Sequence, residues 1–227
     1  MIIEEVFPAQ TSIEVALDDT DFESVSAWYP KIRGSRFNFV ISPKSSGNQN
    51  SNELSNPVDR YILKAIRSQS DLIITTGKTA RDESLTASKF APLVIITKDP
   101  NIDIPATNLS SERPVFIASS ESIFRDYANP NLKFIKLNVE SFADSAESVL
   151  ADLESDSPVF ETGLNAFRDL AIAGLIDEVC LTVTSSASID EAEIQAKDFL
   201  KANGVQGKKI LHLVSADTHF FRFQVLK

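Results

Sequence analysis

Residues 158 to 184 read PVFETGLNAFRDLAIAGLIDEVCLTVT, and this stretch constrains the fold more than any other. An apolar strand stops at Glu161, Thr162-Gly163 makes a turn, an amphipathic helix runs to Gly174, and Leu175-Ile176-Asp177-Glu178 leads into another strand. Strand, tight glycine turn, helix and strand make a crossover unit, which puts a helix N-terminus at the carboxyl edge of a sheet. Free N–H groups and the helix dipole favour anions there, so that edge suits a phosphate-bearing ligand.

The rest of the chain keeps the same rhythm. Apolar runs at 37–41, 72–75, 93–97, 115–118 and 134–137 predict strands, and apolar spacing predicts helices over 21–28, 57–69, 141–153 and 192–202. Residues 119–127 are the most helix-like of the remaining connections, and Asn56-Pro57 suits a helix start. After a break at Gly204 and Gly207, strands at 210–214 and 220–226 join through a short polar turn at 215–218, a hairpin pattern. The expectation is an α/β fold: a mostly parallel sheet, helices on both faces and a C-terminal antiparallel hairpin. With 227 residues, 43% of them hydrophobic, the chain fits one generous domain over 31–227, preceded by an N-terminal arm and short helix over 1–30. The polar run 42–57, SPKSSGNQNSNELSNP, is long for a loop inside a compact domain, which marks it as mobile or functional.

Charge narrows the partners. A formal net charge of −10 and a pI near 4.7 argue against nucleic acid and anionic membrane, and leave an anionic ligand dependent on local cations and backbone amides. The single cysteine, Cys180, rules out an internal disulfide and a multi-cysteine metal site, and reads as a strand residue. His212 and His219 fall in the terminal hairpin with no third ligand in view, so no metal is expected. The N-terminus lacks a basic start and a long apolar run, and no segment is long and apolar enough to span a bilayer. A cytoplasmic location is the expectation.

Scattered stretches then align with one family in order: Trp28-Tyr29-Pro30, FNFVIS at 37–42, LSNPVDRYILKAIRSQSDLIITTGKTARDE at 54–83, APLVIITKD at 91–99, the FETG…GLIDEVCLTVT segment and the closing hairpin. From about Trp28 to the end, the chain resembles the pyrimidine reductases of riboflavin biosynthesis, which have a dihydrofolate-reductase-like fold. It is most similar to the stand-alone pyrimidine-reductase-like proteins of actinobacteria. The resemblance implies an oxidoreductase that uses NADPH to reduce a ribosylamino-pyrimidine phosphate, and a homodimer as the working unit.

It also implies site residues. Thr76, Gly77, Thr79 and Arg81 follow a strand where the family usually reads Gly-Ala-Gly-Thr-Val-Arg, so they are expected against the cofactor, with Thr76 and Lys78 standing where glycines are common. Thr97 matches a hydroxyl position facing the cofactor. Glu161, Thr162, Gly163 and Leu164 match the segment that receives the pyrophosphate, with Thr162 in place of the first of two glycines. Ser42, Asp59, Arg60 and Arg67 are expected beside the substrate. Where the family has Ser-Leu-Asp-Gly, this chain has Ser42-Pro43-Lys44-Ser45, which puts Lys44 in the place of a catalytic acid. Glu53 or Asp59 would stand in for that acid if the loop folds back. The competing reading of these residues is ordinary turn and helix-surface chemistry, and the competing function is a nucleotide-binding or regulatory protein that keeps the fold without turnover.

Overall fold

The computed structural model describes residues 1–16, 22–42, 55–82, 87–104, 109, 113–121, 130–139, 141–186 and 188–227. Among them run strands β1 (Ile2–Phe7), β2 (Thr11–Glu14), β3 (Arg36–Ile41), β4 (Leu72–Thr76), β5 (Leu93–Ile96), β6 (Val115–Ser119), β7 (Leu132–Lys136), β8 (Pro158–Phe160), β9 (Glu178–Val183), β10 (Gly207–Ser215) and β11 (Thr218–Val225). The helices are α1 (Glu23–Ser26), α2 (Pro57–Ser68), α3 (Gly77–Asp82), α4 (Phe142–Asp152), α5 (Leu164–Ile172) and α6 (Ile189–Ala202).

The strands form one sheet in the order β2-β1-β10-β11-β9-β3-β8-β4-β5-β6-β7. From β9 to β7 every pairing is parallel, and from β9 outward to β2 every pairing is antiparallel. Alternation along each strand divides the core. Ile73, Leu93, Ile95 and Cys180 face one layer, which holds Val25 of α1 and Tyr61, Ile62, Ala65 and Ile66 of α2. Leu72, Ile74, Val94, Ile96 and Leu181 face the other, which holds residues of α4, α5 and α6 such as Val149, Phe167 and Leu200. Helices thus cover both faces, and the central strands are apolar throughout because both of their faces are buried.

Local chemistry sets the helix ends. Asn56 Oδ1 accepts from the Asp59 N–H at 3.0 Å, with Pro57 just inside α2, and Ser141 and Ser188 cap α4 and α6 in the same way. Four phenylalanines fix α5 and α6 to β3: Phe37 stacks on Phe167 at 4.1 Å, Phe39 on Phe199 at 5.3 Å, and Phe167 on Phe199 at 5.6 Å.

Several sequence expectations change. The arm set apart at residues 1–30 forms β1 and β2, which extend the same sheet beside β10. Its glutamates hid the strand pattern, yet Glu5 is buried, accepting from Trp28 Nε1 at 2.6 Å, the Ala9 N–H at 2.9 Å and Thr11 Oγ1 at 3.1 Å. Gly207 is the first residue of β10, paired with Val225, rather than part of a break, and a Cβ there would meet Phe223 Cβ at 3.1 Å and Leu200 Cδ1 at 3.2 Å. The expected helix over 119–127 begins on Ser119, which closes β6, and its residues from 122 onward lie outside the described residues.

At the amino ends of β3 and β9 lies a buried ionic cluster. Glu178 accepts from Arg36 Nε at 2.7 Å and from Arg222 at 3.0 and 2.6 Å. The two arginines also donate to the carbonyls of Pro30 and Trp28, which docks the segment after α1 onto the sheet.

Candidate functional site at the carboxyl edge of the sheet

Strands β3 and β8 are parallel neighbours, yet the helices that follow them leave to opposite faces, α2 to one layer and α5 to the other. In open α/β sheets such a reversal marks the usual ligand position, beyond the carboxyl ends of the two strands. The register carries neighbouring strand ends to the same place. Ile74 pairs with Phe160, Thr76 with Ile96, and Ile96 with Ala118. Thr75 Oγ1 donates to the Glu161 carbonyl at 2.7 Å, and the Thr97 N–H donates to the Ala118 carbonyl at 3.0 Å.

At the end of β4 the chain has closed upon itself. A Cβ on Gly77 would lie 2.2 Å from Thr97 Oγ1, 2.6 Å from Thr97 Cβ and 3.3 Å from Arg81 Nη1. Thr97 therefore suffices to require a glycine at position 77. Thr76 Oγ1 accepts from the Thr79 N–H at 3.2 Å and lies 3.0 Å from Thr79 Oγ1, so both hydroxyls serve the start of α3. Thr97 Oγ1 donates to the Asp99 carbonyl at 2.8 Å. Lys78 pairs with Asp82 on the surface, and Arg81 is exposed.

The end of β8 is different. Gly163 occupies the N-cap of α5 at φ −73 and ψ 170, with no side-chain cap, and an added Cβ there would meet no atom within 4 Å. Its backbone is one that any residue adopts; what glycine provides is open approach to the first turn of α5. Beside it, Thr162 is 4% exposed and its Oγ1 has no hydrogen-bond partner. A buried hydroxyl without a partner costs about 1–3 kcal/mol, so it points to a group that completes it. Leu164, the first residue of α5, is exposed.

Glu161 faces the α2 side, where it accepts from Arg67 Nε at 2.8 Å and Arg67 Nη2 at 2.5 Å, a two-pronged pair. Asp59, on the first turn of α2, is 7% exposed and accepts from Ser55 Oγ at 2.7 Å. Burial pushes its carboxyl above the usual carboxylate range, helped by the charge of Glu161 and opposed by hydrogen bonds from Thr182 and Ser55 and by Arg60. Asn56 Nδ2 donates to Thr218 Oγ1 at 2.6 Å, tying the start of α2 to β11.

No protein-family model matches the chain, and no curated protein does. Solved structures do. The riboflavin biosynthesis reductase of Saccharomyces cerevisiae superimposes with a TM-score of 0.65 at 10% identity, over 90% of this chain and 99% of that one. The bifunctional deaminase and 5-amino-6-(5-phosphoribosylamino)uracil reductase of Thermotoga maritima gives 0.64 at 12% identity, over 90% of this chain and 60% of that one. Dihydrofolate reductase from Enterococcus faecalis gives 0.50 at 11% identity, over 86% of this chain and 97% of that one. The fold is that of the pyrimidine reductases.

On the pyrimidine-reductase fold the expected site residues divide into three groups. Glu161, Thr162, Gly163 and Leu164 surround the open N-terminus of α5; Thr76, Gly77, Thr79, Arg81 and Thr97 form a self-contained turn beside it; Asp59 and Arg67 stand on the α2 side with exposed Arg60 and half-buried Ser42. Lys44, Ser45 and Glu53 lie outside the described residues. Sequence reasoning passed over Ser55 and Thr182. Thr182 is the one polar residue in the run EVCLT before Val183 whose hydroxyl reaches a carboxylate, and a hydroxyl near the end of an apolar strand was the available signal. A cavity of about 580 Å³ lies elsewhere, between β1, β2, β10 and the start of α6, lined by Phe7, Glu193, Lys209 and His212 among others. None of the expected site residues lines it. Among the described residues no group of three or more His, Cys, Asp or Glu side chains is placed to hold a metal, and no helix is long and apolar enough to cross a membrane.

Proposed function

We propose that the protein is an NADPH-dependent reductase acting on a ribosylamino-pyrimidine phosphate. The observation that carries this reading is the pairing of the unpartnered Thr162 hydroxyl with the uncapped, sterically open start of α5 at Gly163. Both supply donors, and a cofactor phosphate is the acceptor that suits them. The bound cofactor would supply the hydride itself. The residues of this chain then have separate tasks: Thr162 Oγ1 and the first N–H groups of α5 hold the phosphate, and Gly163 leaves room for it. Glu161 holds Arg67 in a fixed orientation on the α2 side, where a guanidinium suits a sugar phosphate. The fold shared with reductases of this pathway and with an NADP(H)-bound dihydrofolate reductase supports the reading. It extends to a homodimer, which sedimentation analysis checks; a monomer at assay concentration removes that part.

One observation favours a protein that keeps the fold with an altered cofactor site. The contact of Thr97 and Arg81 with Gly77 fills one of the two glycine positions expected to admit the cofactor. Titration with NADPH, followed by cofactor fluorescence, tests both readings. Saturable binding in the wild type, lost in Gly163→Val with the unfolding midpoint unchanged, is the expected result. No binding overturns the reductase reading, and binding without turnover of 5-amino-6-(5-phosphoribosylamino)uracil favours the second.

A further inference from the structure

The pairing of β4 with β8 ends at Ile74 and Phe160, yet the next residue, Glu161, is held at each of its polar groups. Its N–H donates to the Ile74 carbonyl at 2.9 Å, and its carboxylate accepts twice from Arg67. Its carbonyl accepts from the Thr75 hydroxyl at 2.7 Å. Thr75 lies on β4 opposite Ile95 of β5 and is 1% exposed, in an apolar run where valine would serve the strand equally well. A hydroxyl buried that deeply is costly unless it is bonded, so what distinguishes Thr75 from valine is the bond it makes. Its one proton is used on the Glu161 carbonyl, which leaves none for a ligand.

That bond fixes a peptide plane. The peptide group between Glu161 and Thr162 is planar, so pinning its carbonyl to β4 turns the Thr162 N–H the opposite way and sets where the Thr162 side chain leaves the backbone. The turn has little else to hold it there, because the Thr162 hydroxyl has no partner and Gly163 gives α5 no side-chain cap. The Arg67 pair holds the Glu161 side chain, whereas Thr75 holds its main chain, so neither contact replaces the other. We propose that Thr75 is a positioning residue for cofactor binding: its hydroxyl sets the Glu161–Thr162 peptide, and through it the direction of the Thr162 hydroxyl and of the first turn of α5. This rests on the reductase reading. Enclosed as it is, Thr75 acts through the turn and not on a ligand. It gives the turn its binding geometry beforehand, so that the cost of ordering it is not drawn from the cofactor's affinity.

The test uses the full chain with Thr75→Val, which keeps the shape and removes the donor, and Thr75→Ser, which keeps the donor. In Thr75→Val the Kd and KM for NADPH are expected to rise about 10-fold, the worth of one hydrogen bond, while KM for 5-amino-6-(5-phosphoribosylamino)uracil stays within about twofold of wild type. Thr75→Ser is expected to return NADPH binding to within about twofold of wild type. A packing role alone would not separate the two KM values, and the smaller serine would not mend it. Equal NADPH binding by wild type and Thr75→Val overturns the positioning role and leaves the reductase reading intact, as does weak binding that Thr75→Ser fails to restore. Hydrogen exchange reads the turn without any cofactor. The Glu161 amide, held on the Ile74 carbonyl, is expected to exchange about 10-fold faster in Thr75→Val and at the wild-type rate in Thr75→Ser. An unchanged rate in Thr75→Val overturns the proposal whatever the wild type binds. If the wild type binds no NADPH, the reductase reading fails and the role of Thr75 in cofactor binding fails with it.

Discussion

Strand β9 ends in two different kinds of polar chemistry. At its amino end Glu178 sits between Arg36 and Arg222, and the guanidiniums also reach backbone carbonyls, so the charges are closed upon one another. At its carboxyl end Thr182 reaches Asp59, which has no ion pair among the described residues, beside a threonine hydroxyl with no partner and a helix with no side-chain cap. The amino end closes its charges on one another; the carboxyl end leaves a hydroxyl and a helix N-terminus open. One orphan remains at the amino end too, Arg36 Nη1, but its guanidinium is otherwise engaged at Nε and Nη2, whereas the Thr162 hydroxyl has nothing. Burial alone therefore does not mark function here. What sets Thr162 apart is a buried side chain whose one polar group is wholly unbonded.

The comparison breaks most directly at Glu178. Glu178→Ala leaves two buried guanidiniums without their shared carboxylate, and a loss of about 3–5 kcal/mol in urea unfolding is expected. A loss below about 1 kcal/mol would return the amino end to an incidental contact. Next in size is Gly77→Ala, whose methyl would lie 2.2 Å from Thr97 Oγ1 and 2.6 Å from Thr97 Cβ; about 1–3 kcal/mol of destabilisation is expected, relieved in Gly77→Ala/Thr97→Gly, which removes both atoms. An undiminished penalty in the double variant would mean that Thr97 is not the obstacle. Thr162→Val removes an unpaired hydroxyl at constant shape, and a gain of about 1 kcal/mol together with weaker NADPH binding is expected. Lower stability and unchanged binding would show that Thr162 is already satisfied, and the distinction between the two ends would fail.

The last effect is read with pH. Burial, His219 and Lys209 lower His212 from 6.5 to about 3, so the folded state keeps it neutral while the unfolded chain takes up a proton. Hydrogen bonds from Lys197 and Lys209 lower Glu193 from 4.5 to about 2. Both groups give stability that is present above their unfolded values and lost on acidification, first from pH 6.5 down and then from 4.5 toward 2. A flatter thermal midpoint between pH 6.5 and 5 in His212→Phe checks the first stage.

The parallel half of the fold was legible because β4, β5 and β6 are short apolar runs between turn residues, and because Glu161-Thr162-Gly163 punctuates a crossover. Strands β1 and β2 were not, since Glu4 and Glu5 interrupt the apolar pattern and only the donors from Trp28, Ala9 and Thr11 explain a buried glutamate. At the site, Thr162 and Gly163 stood out by position alone. The sequence offered no means to separate them from Gly77, because the two glycines differ only in what surrounds them: Thr97 in one case and no atom in the other. Asp59 and Arg67 are both charged residues on one helix, and nothing in their spacing says that one pairs with Glu161 while the other meets hydroxyls.

Trp28 gives the molecule a built-in optical reporter. It is the chain's one tryptophan, 8% exposed, with its indole N–H on Glu5 of β1 and its carbonyl on Arg222 of β11. Its emission therefore belongs to a single place, the seam where the N-terminal strands meet the ionic cluster. A blue spectrum records that seam closed, and a shift to the red as it loosens would be seen before or with the loss of the whole sheet, apart from any light emitted by a bound cofactor.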